Sequence, residues 1–359
     1  MKFRIETPSD EPELAEFIEL PDRVNARRSA RWPAPAAMHR MLLTGESPFC
    51  RGRTIRPIAA RQGGQVVARA VAMVDSHYQR HWNEKLGHVV MFEAMPEVRD
   101  AVRAMLDEAA RWLSSQGCDA ARAGYGTFEF PFVIDDYETL PPDLARQNPP
   151  YYHAMLKDCG FETERGWVDY KIRVTADLVA RYRSALEAGK RAGFEFATLA
   201  SIEPSHRVAQ FMPVWNEAFS RHWGAAPFTA DEMSFLFEVF DLTGANETSL
   251  VAYRDGEPVG ALMVSPPASD LAALDSGRRL GDHERLNFLG IGVRPAQRGR
   301  GVNLAMAAHA YLNLIRNYGS KFLSYTLVLD DNHPSRRTAE KLGASVCASY
   351  VTYRRNFRV

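Results

Sequence analysis

Two stretches of the chain, residues 53–174 and 194–357, run through one order of candidate elements, and that repetition most restricts the fold. In the first, RTIRPIAARQGGQVVARAVAMVD (53–75) reads as two strands around Gly63-Gly64, because paired glycines accept the positive φ of a tight hairpin turn. HVVMFEAM (88–95) is a third strand. PEVRDAVRAMLDEAARWLSSQG (96–117) opens on a proline and closes on a glycine. It lines up Val98, Val102, Met105, Leu106, Ala109 and Leu113 on one stripe, which predicts an amphipathic helix. A short strand DAARAGYG, a proline-rich loop, a short helix in NPPYYHAMLKDCGFE (148–162) and the strand WVDYKIRV (167–174) complete this stretch.

The second stretch begins with the strand FEFATLA (194–200) and the helices HRVAQFMPVWNEAFSRHW and TADEMSFLFEVF. The hairpin SLVAYRDGEPVGALMVS turns at Asp255-Gly256, and RLNFLGIGV (285–293) is a strand. A helix from Gly301 to about Asn317, the strand KFLSYTLVL, the helix HPSRRTAEKLG and a final strand ASVCASYVTYRRNF follow. At 359 residues the chain exceeds what one core usually serves. The expectation is an α/β protein of mixed α+β character with two units, 1–174 and 193–359. DLVARYRSALEAGKRAG, within the connector 175–192, reads as a helix rather than a flexible linker, so the halves should pack together.

Charge narrows the partners. The 44 cationic and 44 anionic side chains cancel, which leaves no surplus to displace the counterions of a nucleic acid. No run approaches the ~20 apolar residues of a membrane span, and the amino terminus lacks an apolar signal core. Cys50, Cys118, Cys159 and Cys347 form no CxxC pair, which suits a reducing compartment. A cytoplasmic protein with no membrane or nucleic-acid partner is expected. The histidines at 77, 81, 222, 283 and 333 show no ligand spacing, so no metal is expected.

The most informative stretch is LGIGVRPAQRGRGVNLAMAAHAYL (289–312). An apolar strand ends at Val293, a polar loop runs from Arg294 to Arg300, and a helix begins at Gly301. Gly299 and Gly301 allow positive φ and a close approach of backbone to ligand. The free N–H groups at a helix start, aided by the dipole, form an anion site. Arg298 and Arg300 add positive charge. Such a loop suits a pyrophosphate without a metal.

This loop resembles the acyl-CoA loop of GNAT acyltransferases, Arg/Gln-x-x-Gly-x-Gly/Ala between the fourth strand and third helix. Arg298 and Gly301 match, the Val-Arg-Pro lead-in matches, and Asn303 departs from the last position. Asn332 and Gly343 match the family's next element, while Ala339 stands where a thiolate-protonating tyrosine is common. NEKLGHVVMFEA (83–94), NPPYYHAMLKDCGFE, WNEAFSRHWGAAPFT (215–229) and VRPAQRGRGV together resemble a bacterial tandem-GNAT family of poorly defined activity. The resemblance implies two GNAT-like domains, each a twisted, mixed, largely antiparallel sheet flanked by helices. It implies a first copy without a coenzyme loop, since only Pro96-Glu97 separates Met95 from Val98. Acetyl-CoA or another acyl-CoA would lie against Ile291, Gly292, Val293, Arg298, Gly299, Arg300, Gly301, Val302, Asn303, Asn332 and Arg336, with strand amides near Ile291–Val293 polarising the thioester carbonyl.

The acceptor would be the amine of a small metabolite. Glu284, with His283 and Asp282 beside it, is the candidate base, and Asn287 would position a water. Tyr350 and Tyr353 on the last strand, or Tyr325 on the fifth, are candidate acids. Trp223, His222, Trp82 and Tyr152, with Trp215, Asn216, Tyr151, His77 and His81 near them, would wall an acceptor pocket between the copies. Two other readings stay open: an acyl-CoA-binding scaffold without catalysis, and aminoacyl transfer from tRNA. A monomer or homodimer fits either.

Overall fold

The computed structural model describes residues 2–127, 129–143, 145–267, 269–280, 284 and 287–357. The first half holds β1 (Phe3–Glu6), α1 (Glu11–Val24), β2 (Ala30–Arg31), α2 (Ala36–Thr44), β3 (Arg53–Gln62), β4 (Gln65–Asp75), α3 (Ser76–Trp82), β5 (Leu86–Ala94), α4 (Arg99–Ser115), β6 (Ala120–Ala123), β7 (Phe132–Val133), α5 (Tyr151–Asp158) and β8 (Glu162–Arg173). The connector is α6 (Ala176–Arg191). The second half holds β9 (Phe194–Thr198), α7 (Pro204–Phe219), α8 (Ala230–Thr243), α9 (Ala245–Thr248), β10 (Leu250–Arg254), β11 (Glu257–Val264), β12 (Ala273–Leu274), β13 (Leu289–Val293), α10 (Val302–Tyr318), β14 (Phe322–Leu329), α11 (His333–Lys341) and β15 (Ser345–Asn356).

The strand order shows how the halves join. One sheet runs β1-β3-β4-β5-β6-β15-β8-β14, with β7 paired to β15, and a second runs β13-β11-β10-β9. The last strand of each half is therefore exchanged. β15 pairs with β6 of the first half, Tyr353 opposite Ala123, and β8 pairs with β14 of the second, Leu329 opposite Trp167. The side chains follow the strands: Tyr353 packs in the first core around Phe92 and Leu106, whereas Tyr170 and Ile172 pack in the second core around Met306 and Tyr311. Each such side chain contributes roughly 1.5–3 kcal/mol by burial. Either half alone would expose strand edges and an unfilled core.

The connector is helical, as its sequence pattern suggests, and Thr175 caps it by accepting from the Leu178 amide. It packs so closely on α10 that a Cβ on Gly189 would lie 2.5 Å from that of Ala305. Two local features go beyond what the pattern predicts. SHYQRHW folds as α3, capped by Asp75, which accepts from the amides of His77 and Tyr78. The helix expected over HRVAQFMPVWNEAFSRHW stops at Phe219, so His222 and Trp223 lie in a loop with Gly224 at φ 77°. That loop is held across the halves: Trp82 Nε1 donates to Ala225 O at 2.7 Å, and His81 Nε2 donates to Ser220 O at 2.8 Å.

Candidate active site

β13 and β14 belong to different sheets although they lie side by side. At their amino-terminal ends they are tied by side chains in place of a ladder. The Asn287 amide donates to Ser324 O at 3.3 Å and accepts from Ser324 N at 2.9 Å, and Leu289 N donates to Thr326 Oγ1 at 2.8 Å. Beyond this point β14 turns away at Leu327, whose left-handed φ of 46° is held by the buried Asp169 carboxylate accepting from its amide. A β-strand alternates the direction of its amides. Because Leu289 N faces β14, so do the amides of Ile291 and Val293, and they meet a gap instead of a partner strand.

The loop at the open end of this gap is shaped by two glycines and one arginine. Gly299 and Gly301 sit at φ 78° and 80°, and nothing lies within 4 Å of where a Cβ would project from either. α10 has no side-chain cap and no acidic residue in its first turn. Its first amides and dipole are thus available to an anion. Arg298, exposed like Arg300, folds back along the loop, donating to Val293 O at 3.2 Å and Ala218 O at 3.0 Å, which fixes it. Asn303 leans away from the loop, donating to Thr338 Oγ1 on α11 at 2.9 Å, so its side chain leaves the helix start clear.

Opposite faces of β13 serve different purposes. A Cβ on Gly260, the partner of Val293, would press on Met306 of α10, whereas one on Gly292 would lie 2.8–2.9 Å from Ala218 and Phe219 of α7. The glycine loop before α10 belongs to the α10 side. On the α7 side His222, Trp223, Trp167 and Tyr125 gather, with Tyr125 stacked on Trp167 at 4.7 Å and on Trp223 at 5.7 Å and the two tryptophan rings 6.0 Å apart. Trp167 and Tyr125 come from the first half, so local pattern in the second could not disclose them; the exchanged β8 delivers one of them.

Several expected residues are placed elsewhere or otherwise employed. Asn287 has both ends of its amide engaged by Ser324 and is 2% exposed, so it ties strands rather than positioning a water. Glu284 is buried and ion-paired with Arg278. Asp282 and His283 lie outside the described residues. Tyr353 donates to, or accepts from, His153 Nδ1 at 2.7 Å inside the first core, and burial pushes its hydroxyl up to about 12. Tyr350 packs beside Val133 and Trp167. Both ride on β15, with β8 and β14 between them and the gap. Tyr325 alone of the three acid candidates stands on a strand that borders the gap; its hydroxyl meets Ser335 Oγ at 3.0 Å in the first turn of α11. Asn332 caps α11, and Arg336 donates to Tyr170 Oη and Asp330 O.

Tyr152, expected as a pocket wall, is fully buried in the first half. It belongs to a plug. There β5 and β6 pair from Leu86↔Ala120 to Val89↔Ala123, and β5 then bulges at Met91, φ 55°. The Met91 amide donates to Glu129 Oε2 at 2.6 Å, Arg146 binds Glu129 and Phe92 O, and Tyr152 donates to Glu93 Oε2 at 2.6 Å. Among the described residues no group of three or more His, Cys, Asp or Glu is placed to hold a metal, and no helix is long and apolar enough to cross a membrane.

Comparison with known proteins agrees with this geometry. A model of the acetyltransferase (GNAT) family matches residues 208–344. A Caulobacter vibrioides protein named bacterial ceramide synthase is 25% identical over 376 residues, spanning 98% of this chain and 95% of its own length. YghO of Escherichia coli is 22% identical over 221 residues, 60% of this chain and 55% of its own. Among solved structures, a tandem GNAT protein from the clavulanic acid biosynthesis pathway superposes with a TM-score of 0.62 at 13% identity, covering 99% of this chain and 98% of that one. A GCN5-related N-acetyltransferase from Sphaerobacter thermophilus gives 0.56 at 13% identity, covering 99% and 96%. The last two are likenesses of fold.

Proposed function

We propose that the chain, whose residues 208–344 match the acetyltransferase (GNAT) family model, is a tandem-GNAT acyltransferase whose second unit moves an acyl group from coenzyme A to a primary amine by direct attack on the thioester. The observation that carries this is the meeting, within thirteen residues or so of chain, of a free strand edge and an uncapped, acid-free helix start. The helix start would hold the pyrophosphate, with Arg300 beside it. The pantetheine would enter the gap between β13 and β14, where the Ile291 amide would donate to the thioester oxygen as it gains charge. The nitrogen forms its bond to the carbonyl carbon, the C–S bond breaks, and the thiolate takes a proton. Tyr325, beside Ser335 on the gap strand, is the group we assign to supply it. Holding amine and thioester in one gap supplies much of the acceleration.

The acceptor and acyl chain follow from a different observation. A ceramide is a fatty amide of a long-chain amino alcohol, and the relative carrying that name spans nearly the whole chain. That favours a long acyl group and a long-chain amino alcohol over the acetyl group and small metabolite amine that the motifs alone suggested. The test is thiol release from palmitoyl-CoA and acetyl-CoA, each against sphinganine and a panel of small amines. Turnover with palmitoyl-CoA and sphinganine is expected. Turnover only with acetyl-CoA and a small amine would restore the simpler substrate reading. No thiol release from any pair, with no heat of binding for coenzyme A, would overturn the assignment of the site.

A further inference from the structure

We propose that His222 takes the proton from the attacking amine. The proposal rests on the acyl-transfer reading above and adds the group that activates the nucleophile.

The position of His222 is fixed from both sides of the gap. Its loop follows α7, whose Phe219 ring lies on Gly292, so close that an added Cβ there would come within 2.9 Å of the ring. Gly292 lies between the two residues whose amides face the gap. The Phe219 and His222 rings are 5.5 Å apart, and the His222 and Trp167 rings 6.0 Å. Trp167 in turn stands opposite Leu329 on β14. The imidazole thus bridges the β13 and β14 sides on the α7 face, opposite the coenzyme loop. An amine arriving from that face would attack the thioester from the side away from α10. The first half clamps the loop through His81 and Trp82, which holds the ring in place.

Its chemistry is that of an unused base. Burial alone lowers its pKa, to about 4, so the ring is neutral at pH 7 with a lone pair to offer. No hydrogen bond contributes to that shift, unlike His153, whose two nitrogens meet Tyr353 and Val133. In the same cluster the Trp167 indole N–H is buried with no partner. Buried polar groups are nearly always satisfied, so this unmet donor beside the half-buried His222 ring points to a ligand that brings polar atoms of its own. The charged groups around the ring are already committed. Arg122 and Arg165 lie over Trp223 and pair with Glu164 and Asp331, Glu217 pairs with Arg294, and His81 binds Ser220 O.

The protons balance as follows. An ammonium acceptor first loses one proton to solvent. The neutral nitrogen attacks the carbonyl carbon, and the carbonyl electron pair moves to the oxygen facing the Ile291 amide. His222 takes one N–H proton. The carbonyl reforms, the sulfur leaves and is protonated, and the imidazolium passes its proton to water. The products are an amide and a thiol.

The experiment uses the full chain with the acyl-CoA and amine that give turnover. His222→Ala is expected to lower kcat by about a hundredfold or more, the span of general-base effects. Its KM for the acyl-CoA and its calorimetric affinity for coenzyme A should stay within about twofold, since the base does not touch the donor. Added imidazole should restore part of kcat. His222→Gln, which keeps a polar side chain of similar reach, should stay as slow as the alanine variant. A variant with kcat within threefold of the parent would overturn the proposal. So would a slow variant that imidazole does not rescue and whose melting temperature has dropped, because the ring would then be packing rather than accepting a proton. Failure of the parent chain to turn over any pair would instead sink the acyl-transfer reading itself.

Discussion

The two halves build the same split between a fourth and a fifth strand and then treat it in opposite ways. In the first, the bulged amide of Met91 is spent on the carboxylate of Glu129, and Arg146, Glu93 and Tyr152 fill the space behind it. In the second, β13 is an edge strand, and no strand pairs with the amides of Ile291 and Val293 on the β14 side. Glu129 places carboxylate oxygens where an acyl oxygen would meet a strand amide, so the first half carries its own imitation of the ligand. The helices that follow differ in the same sense. α4 begins beside Glu97 and Asp100, whose charge opposes an anion, while α10 begins beside Arg298 and Arg300 with glycines at 299 and 301. The fold provides the split; the loop behind it and the charge ahead of it decide whether it serves as core or as a site.

This contrast can be broken most forcefully in the plug. Arg146→Ala leaves Glu129 and Glu93 buried without their cation and should destabilise the chain by about 3–5 kcal/mol, measured by urea unfolding. A variant as stable as the parent would mean the plug is not structural. Acid should act on the same half. His88 on β5 is fully buried, with its pKa lowered to about 4 by burial and then by Arg122, and it holds the start of the plug loop through Tyr125 O. The unfolded imidazole gains a proton below about pH 6.5 and the folded one does not until about pH 4. Its contribution is therefore complete above 6.5 and is lost on acidification through that window, at about 1.4 kcal/mol per pH unit. Unfolding free energies of the parent and His88→Gln across pH 7 to 4 should differ in slope by that amount; equal slopes would remove His88 from the account.

The second half is tested by making it resemble the first. Gly301→Val puts a β-branched residue at φ 80° and a side chain into the open space before the helix. It should weaken coenzyme A binding at least a hundredfold, about 2.7 kcal/mol, in calorimetry, while the backbone strain lowers unfolding stability by about 1–3 kcal/mol without abolishing the fold. Arg300→Ala, which removes an exposed cation, should cost only about three- to tenfold in affinity, roughly 0.7–1.4 kcal/mol, with no change in stability. Should Arg300 matter more than Gly301, charge rather than backbone access would be the chief difference between the halves.

Much of the site was legible because it is local. Strand, glycine loop and helix between Leu289 and Tyr318 are contiguous, and their chemistry lies in backbone geometry that glycine and charge reveal directly. The tyrosines were not legible in the same way. Tyr350 and Tyr353 look like second-half residues, yet β15 carries them across to the first half, while Trp167 and Tyr125 come to the second-half site from the first. Asn287 could be recognised as buried near a strand start, but its two bonds to Ser324 required the neighbouring strand to be in place.

From the residues alone came the repeated order of elements, the helical connector, the glycine-rich loop before α10 and the absence of a comparable loop before α4, because period, turn chemistry and helix starts depend on near neighbours. Which strand completes which half and which cleft is filled were settled only by packing. Those outcomes depend on contacts between side chains distant in sequence, and a strand's pattern says that it will be buried without saying against what.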